Sequence, residues 1–107
     1  MAIARAKSVS VGALAGGGQS GAPVLTEQAL NNISTVATAA DSVRLPPGVN
    51  GMILWGVNST ANAAAVFPSS GETINALSAN ASLSIAAGKS FSAFCPTDGK
   101  WYVNLSA

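Results

Sequence analysis

The sequence is poor in the side chains that most enzymes use for chemistry. It has no histidine, one cysteine and four carboxylate side chains among 107 residues. Without histidine the chain cannot build a Ser-His-Asp or Cys-His catalytic site or a histidine-ligated metal site, and one cysteine excludes an internal disulfide bond. We therefore predict no catalytic residue, no metal site and no cofactor, and expect the protein not to be an enzyme.

Charge is equally scarce. Lys and Arg number 5, Asp and Glu number 4, and charged residues make up 8% of the chain, against roughly 25% in an average soluble domain. A nucleic-acid partner is not expected, because it would require a dense basic surface. A membrane partner is not expected either, since no apolar run approaches the 18 or so residues of a membrane span. The abundant neutral polar residues favour a surface that neighbouring molecules cover.

The first 30 residues differ in composition from the rest of the chain. Arg5 and Lys7 come first, and the glycine-rich run Gly16–Pro23 is typical of a flexible linker. We interpret residues 1–30 as an N-terminal arm with a hinge, and residues 31–107 as the folded domain. A secretory signal peptide is the alternative, but the segment after the two basic residues is too polar for its apolar region.

The arm contains the candidate partner-binding residues. Two of them are basic and two are the valines of an alternating polar and apolar segment, which predicts a strand added to the chain's own sheet or to a neighbour's. A disordered tail is the alternative. If the arm swings freely, deletion of Met1–Gly18 should leave the domain folded and weaken partner binding. The candidate residues are Arg5, Lys7, Val9 and Val11.

Short β-branched and apolar runs dominate from Ile33 onward, at intervals too short for crossover helices. The pattern predicts an antiparallel all-β domain, with Thr26–Leu30 as the one stretch of helix-forming residues, barely a turn long. The predicted strands are Ile33–Thr38, Ser42–Leu45, Met52–Asn58, Ala63–Phe67, Glu72–Asn75, Ala81–Ile85, Lys89–Cys95 and Lys100–Leu105.

The C-terminal end gives the clearest local prediction. Asp98-Gly99 is a strong turn signal, so it should join the last two strands as a hairpin. In the last strand Trp101, Val103 and Leu105 share one face, which we predict to lie in the core. Eight short strands favour a β-sandwich or a compact jelly roll. Its core would contain few large side chains, and oligomerisation often stabilises so small a domain.

Several short elements follow one another in a characteristic order from Val43 to Leu105. They are Val43-Arg44-Leu45-Pro46, Gly51-Met52-Ile53-Leu54-Trp55-Gly56-Val57-Asn58, Ala65-Val66-Phe67-Pro68, Gly71-Glu72-Thr73-Ile74-Asn75, Ala79-Asn80-Ala81-Ser82, Ala87-Gly88-Lys89 and Gly99-Lys100-Trp101-Tyr102. In this order the segment resembles a module common in structural proteins of tailed bacteriophages. The similarity covers a little over half of the chain and leaves out the arm.

The resemblance implies a small, β-rich virion protein without enzymatic activity. It implies a capsid decoration, or cement, protein that sits as a homotrimer on the outer capsid surface, binds the major capsid protein and joins neighbouring capsomers. The alternative is a tail-fibre or receptor-binding module that recognises host-surface glycans through exposed aromatic residues. Because Trp55, Trp101 and Tyr102 all fall in predicted strands, few free aromatic side chains are expected for that role.

Overall fold

The computed structural model describes residues 7–106, and strands are its only regular elements. This confirms the all-β prediction. The strands are β1 (Lys7–Gly12), β2 (Ala29–Thr35), β3 (Ser42–Arg44), β4 (Met52–Asn58), β5 (Ala64–Phe67), β6 (Thr73–Ile74), β7 (Leu83–Ile85), β8 (Ser90–Thr97) and β9 (Lys100–Leu105).

The strands form two mixed sheets. The larger sheet has the order β1-β2-β4-β8-β9-β6, and the smaller has the order β3-β5-β7. From β2 to β8 the chain alternates between the two sheets, which gives a solenoid-like winding. The pairs β1-β2, β2-β4, β3-β5 and β6-β9 are parallel.

The prediction of purely antiparallel pairing was therefore wrong. Parallel neighbours need a crossover connection, which is usually a helix, and the segments between consecutive predicted strands are too short for a helix. Here a strand of the opposite sheet takes that place: β3 lies between β2 and β4 in the chain, and β4 lies between β3 and β5. The antiparallel pairs β4-β8, β5-β7 and β8-β9 occur among the later strands.

The segment expected to be a free arm belongs to the larger sheet. Strand β1 pairs with β2 in register from Lys7↔Ala29 to Val11↔Ile33. Val11 is buried in the core and Val9 packs against it. The boundary expected at residue 30 falls within β2, so the sheet is continuous there.

The glycine-rich run is likewise held in place and does not form a hinge. The Ser42 hydroxyl donates to the Gly18 carbonyl at 2.6 Å, and the Gln19 amide donates to the Pro68 carbonyl at 2.7 Å. Ala22 is buried. At Gly17, with φ of 72°, a Cβ atom would lie 2.7 Å from the Ala40 carbonyl oxygen, so the close contact requires glycine. Glycine, whose abundance predicts a flexible backbone, here allows the chain to pack closely against the smaller sheet.

Local predictions were more accurate towards the C terminus. The bounds of β4 and β9 agree with the prediction, and Asp98-Gly99 forms the turn between β8 and β9. The helical turn predicted at Thr26–Leu30 is absent: Glu27 and Gln28 form a turn, and Gln28 donates its backbone N–H to the Ile53 carbonyl at 2.7 Å.

One core receives side chains from both sheets. Leu54, Phe91 and Trp101 come from the larger sheet, and Val66 and Ile85 come from the smaller. Trp101 and Val103 are buried, as predicted.

Leu105, in contrast, is 47% exposed. It was predicted to lie in the core, because it shares the alternation of Trp101 and Val103. It is the last residue of β9, however, and pairs with Phe91 near the start of β8, at the end of the larger sheet. Alternation assigns the face of the strand but does not show that the core ends before its last residue.

Gly56 offers a sharp test of how tightly this core is packed. A Cβ atom at Gly56 would overlap the Phe91 ring, whereas at Gly12, in β1, the nearest atom would be 4.0 Å away. We expect Gly56→Ala to lower the free energy of unfolding by about 1–3 kcal/mol, the usual cost of overpacking. Gly12→Ala is the matched control and should change it by less than about 0.5 kcal/mol. Urea unfolding of both variants measures the difference, and equal midpoints would contradict the packing of Phe91 over Gly56.

Candidate functional site

Three of the carboxylates act as anchors for loops. The Asp41 carboxylate accepts from the backbone N–H groups of Gly16 and Thr38, both at 3.1 Å. Glu72 accepts from Gly48 N–H at 2.9 Å, and Asp98 accepts from Asn50 N–H at 2.7 Å. In residues 7–106 no three side chains of the kinds that ligate metals are grouped closely enough to hold an ion.

Cys95 is a buried core residue, as isolated free thiols often are. Its thiol donates a hydrogen bond to the Thr97 carbonyl at 3.1 Å. Burial raises the pKa of this thiol, and the negative charges of Glu72 and Asp98 act in the same direction. The thiol therefore stays protonated at neutral pH and is a poor nucleophile.

Two buried asparagines of the larger sheet bind backbone groups of other strands and loops, and the sequence analysis does not identify this role. The Asn31 side chain donates to the Thr26 and Trp55 carbonyls at 2.9 and 3.0 Å and accepts from Thr26 N–H at 2.8 Å. The Asn58 side chain donates to the Ile85 carbonyl at 3.0 Å. Both are fully buried, and these bonds satisfy their amide groups. Their role is structural.

The feature most available to a partner is the outer face, by which we mean the side of the larger sheet turned away from the core. The strand registers place its residues in three rows across the sheet. These rows are Ile53–Phe94–Tyr102, Leu30–Trp55–Ser92–Asn104 and Asn32–Val57–Ser90.

The centre of the outer face is apolar and its margin is polar. Leu30, Phe94 and Tyr102 are 40%, 38% and 48% exposed, and Ile53, Trp55 and Val57 are half-buried. None of the residues in the three rows is charged. Lys100, two residues before Tyr102 in β9, lies on the same side at the margin and carries a positive charge. A shallow hollow of about 450 Å³ lies over part of the face, with Leu30, Trp55 and Leu105 among its lining residues.

Sequence reasoning missed this aromatic surface. The positions of Trp55, Trp101 and Tyr102 in predicted strands indicate few free aromatic side chains. The structure divides them: Trp101 faces the core, while Trp55, Phe94 and Tyr102 lie on the outer face. Alternation within β9 places Tyr102 on the face opposite Trp101, and this pattern in the sequence could have predicted an exposed aromatic side chain.

The predicted partner-binding residues are not gathered into one site. Arg5 lies outside the described residues. Lys7 is exposed at the start of β1, whereas Val9 and Val11 point towards the core. The two valines therefore stabilise the chain's own fold, and binding of a partner through the two basic residues stays a prediction.

Comparison with protein-family models, with curated proteins and with solved structures found no significant match. Among residues 7–106 there is also no helix of the length and hydropathy needed to cross a membrane.

Proposed function

We propose that this chain is a non-enzymatic structural protein of a bacteriophage virion: a capsid decoration, or cement, protein on the outer capsid surface. It binds the major capsid protein and stabilises contacts between capsomers. The observation that carries the proposal is the outer face, a broad surface whose three central rows are apolar or neutral and polar. Such a surface is suited to contact with other proteins.

The use of the polar side chains supports a structural role. Asp41, Glu72 and Asp98 bind backbone N–H groups, and Asn31 and Asn58 bind backbone carbonyls. The carboxylates join loops to one another, Asn31 joins β2 to β4, and Asn58 joins the two sheets. These bonds favour a rigid body in which both sheets share one core. A cement protein needs a rigid body, because a flexible one would lose conformational entropy when it bridges two capsomers.

The proposal includes a homotrimer as the working form. The largely neutral surface and the small core both favour a symmetric assembly that covers apolar area. A cement protein also gains from several copies acting together, because attachment of one subunit raises the effective concentration of the others at the capsid.

The decoration role is tested with undecorated capsids of the virus that encodes the chain. We expect the purified protein to cosediment with them in saturable amounts and to raise the temperature at which the capsids fall apart. Capsids incubated with an unrelated small β-protein are the control. Absence of cosedimentation, or binding without any change in capsid stability, would contradict the cement function.

The basic residues at the N terminus are tested in the full-length chain. We expect the double variant Arg5→Ala/Lys7→Ala to bind capsids at least tenfold more weakly, a loss of about 1.4 kcal/mol. Lys7 is exposed, so its replacement should not change the melting curve. Unchanged binding by this variant would reject a role for the two side chains and would leave the decoration role in place.

A glycan-binding, tail-fibre function is the second candidate, and the outer face favours it in one respect. Trp55, Phe94 and Tyr102 lie among serine and asparagine residues, and sugars bind to aromatic rings with neutral hydrogen-bonding groups beside them. Titration with host-surface oligosaccharides tests it. Saturable quenching of Trp55 fluorescence would favour receptor binding over decoration.

A further inference from the structure

The outer face has a composition that suits contact with another copy of itself. The side chains of its three rows are apolar or neutral and polar. When copies of one chain meet through the same surface, a charge close to the symmetry axis faces its own like charge. The three rows avoid this repulsion because they carry no charge and Lys100 lies only at the margin of the face. Their serine and asparagine groups both donate and accept hydrogen bonds.

The size of the face also fits a stable interface between copies. A Phe or Tyr side chain has about 150–250 Å² to bury, so the exposed fractions of Phe94 and Tyr102 correspond to about 60–120 Å² each. With Leu30, Ile53, Trp55 and Val57, the apolar area is on the order of 400 Å². A standard interface buries about 800 Å² on each partner, of which about 450–500 Å² is apolar.

From these two observations we propose that the outer face is the surface through which copies of this chain associate. Tyr102, Phe94 and Trp55 lie at its centre, and polar side chains form its margin. In a trimer, the three equivalent faces turn towards the threefold axis and form a shared apolar core. This proposal rests on the proposed self-association and not on capsid attachment, which then uses another part of the surface.

The test uses full-length variants that add one carboxylate. We expect Phe94→Glu and Tyr102→Glu each to raise the dissociation constant of the oligomer at least 100-fold, because equivalent carboxylates would meet in an apolar interface. The matched control is Leu77→Glu: Leu77 is 39% exposed, close to the 38% of Phe94, but lies outside the larger sheet. Sedimentation equilibrium at micromolar concentrations gives the masses, and circular dichroism monitors folding.

A second measurement needs no substitution on the face. Trp55 lies on the outer face and Trp101 is fully buried. Dilution of the parent protein to a concentration at which it dissociates should therefore shift tryptophan emission to the red and increase quenching by acrylamide. Tryptophan emission therefore tests whether copies associate through the outer face even if a glutamate variant fails to fold.

Several outcomes would overturn the proposal. These are a parent that is monomeric at micromolar concentrations, folded glutamate variants that keep the parent mass, and dissociation without a change in Trp55 emission. Saturable oligosaccharide binding to a monomer would assign the face to a glycan instead. A dimer that dissociates through Phe94→Glu would support the face and contradict only the trimer. Failure of an intact oligomer to bind capsids would contradict the decoration role alone.

Discussion

Replacement of Trp101 by alanine should lower the free energy of unfolding by about 3–5 kcal/mol, the range for removal of a large buried aromatic side chain. Trp101 is fully buried, and its indole N–H donates to the Pro46 carbonyl at 3.2 Å. The loop that follows Pro46 also packs closely here: a Cβ atom at Gly48 would lie 2.9 Å from the indole nitrogen. The substitution therefore leaves a cavity, an unpaired carbonyl and a loosened loop.

Thermal and urea unfolding measure this effect. For a domain of this size, 1 kcal/mol corresponds to roughly 4–8 °C, so the melting temperature should fall by roughly 12 °C or more. Trp101→Phe separates the two contributions, because it keeps most of the volume and loses the hydrogen bond. Leu77→Ala, at an exposed position, is the control. A Trp101→Ala variant that melts with the parent would show that the indole is not in the core.

The position of Trp101 was predictable because it depends on neighbours in sequence. The Asp98-Gly99 turn fixes where β9 begins, and alternation then assigns Trp101 and Val103 to one face and Tyr102 to the other. Parallel pairing, in contrast, depends on which strand of the opposite sheet serves as a crossover. That is a long-range property, and the spacing of the strands alone does not contain it.

The composition of the outer face also depends on a register shift between β8 and β9, which the sequence indicates only weakly. A regular hairpin with Thr97↔Lys100 as its last pair would place Phe94 opposite Val103. The structure instead pairs Phe94 with Tyr102, because the register shifts between Phe94 and Thr97. A shift of one residue exchanges the faces of a strand. Pro96, which cannot donate to the ladder, marks this irregularity in the sequence.

The N-terminal segment shows the limit of composition as evidence. A run of glycines is typical of linkers, since glycine is compatible with many backbone conformations. The same property allows Gly17 to take a positive φ against Ala40, where a side chain would not fit. Composition therefore could not distinguish a hinge from a tight, ordered path. The hydrogen bond from the Ser42 hydroxyl to the Gly18 carbonyl shows that the run is ordered, and it joins residues 24 positions apart in the sequence.

Deletion of Met1–Gly18 should consequently destabilise the fold. The deletion removes β1 and the Gly18 carbonyl that accepts from Ser42, and it exposes the edge of β2. Val11 is buried against the core that contains Ile33, and Val9 packs beside it. Burial of a valine side chain contributes about 1.5–3 kcal/mol, while the backbone hydrogen bonds of β1 and its ordering entropy largely offset one another.

We therefore expect this truncation to lose about 3 kcal/mol or more of unfolding free energy. Urea unfolding followed by circular dichroism measures the loss. Deletion of residues 2–6 is the matched control, because it keeps every described contact of β1, and the further loss in the longer truncation is then due to residues 7–18. If the longer truncation unfolds at the same urea concentration as the parent, β1 contributes nothing to the core and the segment acts as the free arm that its composition suggests.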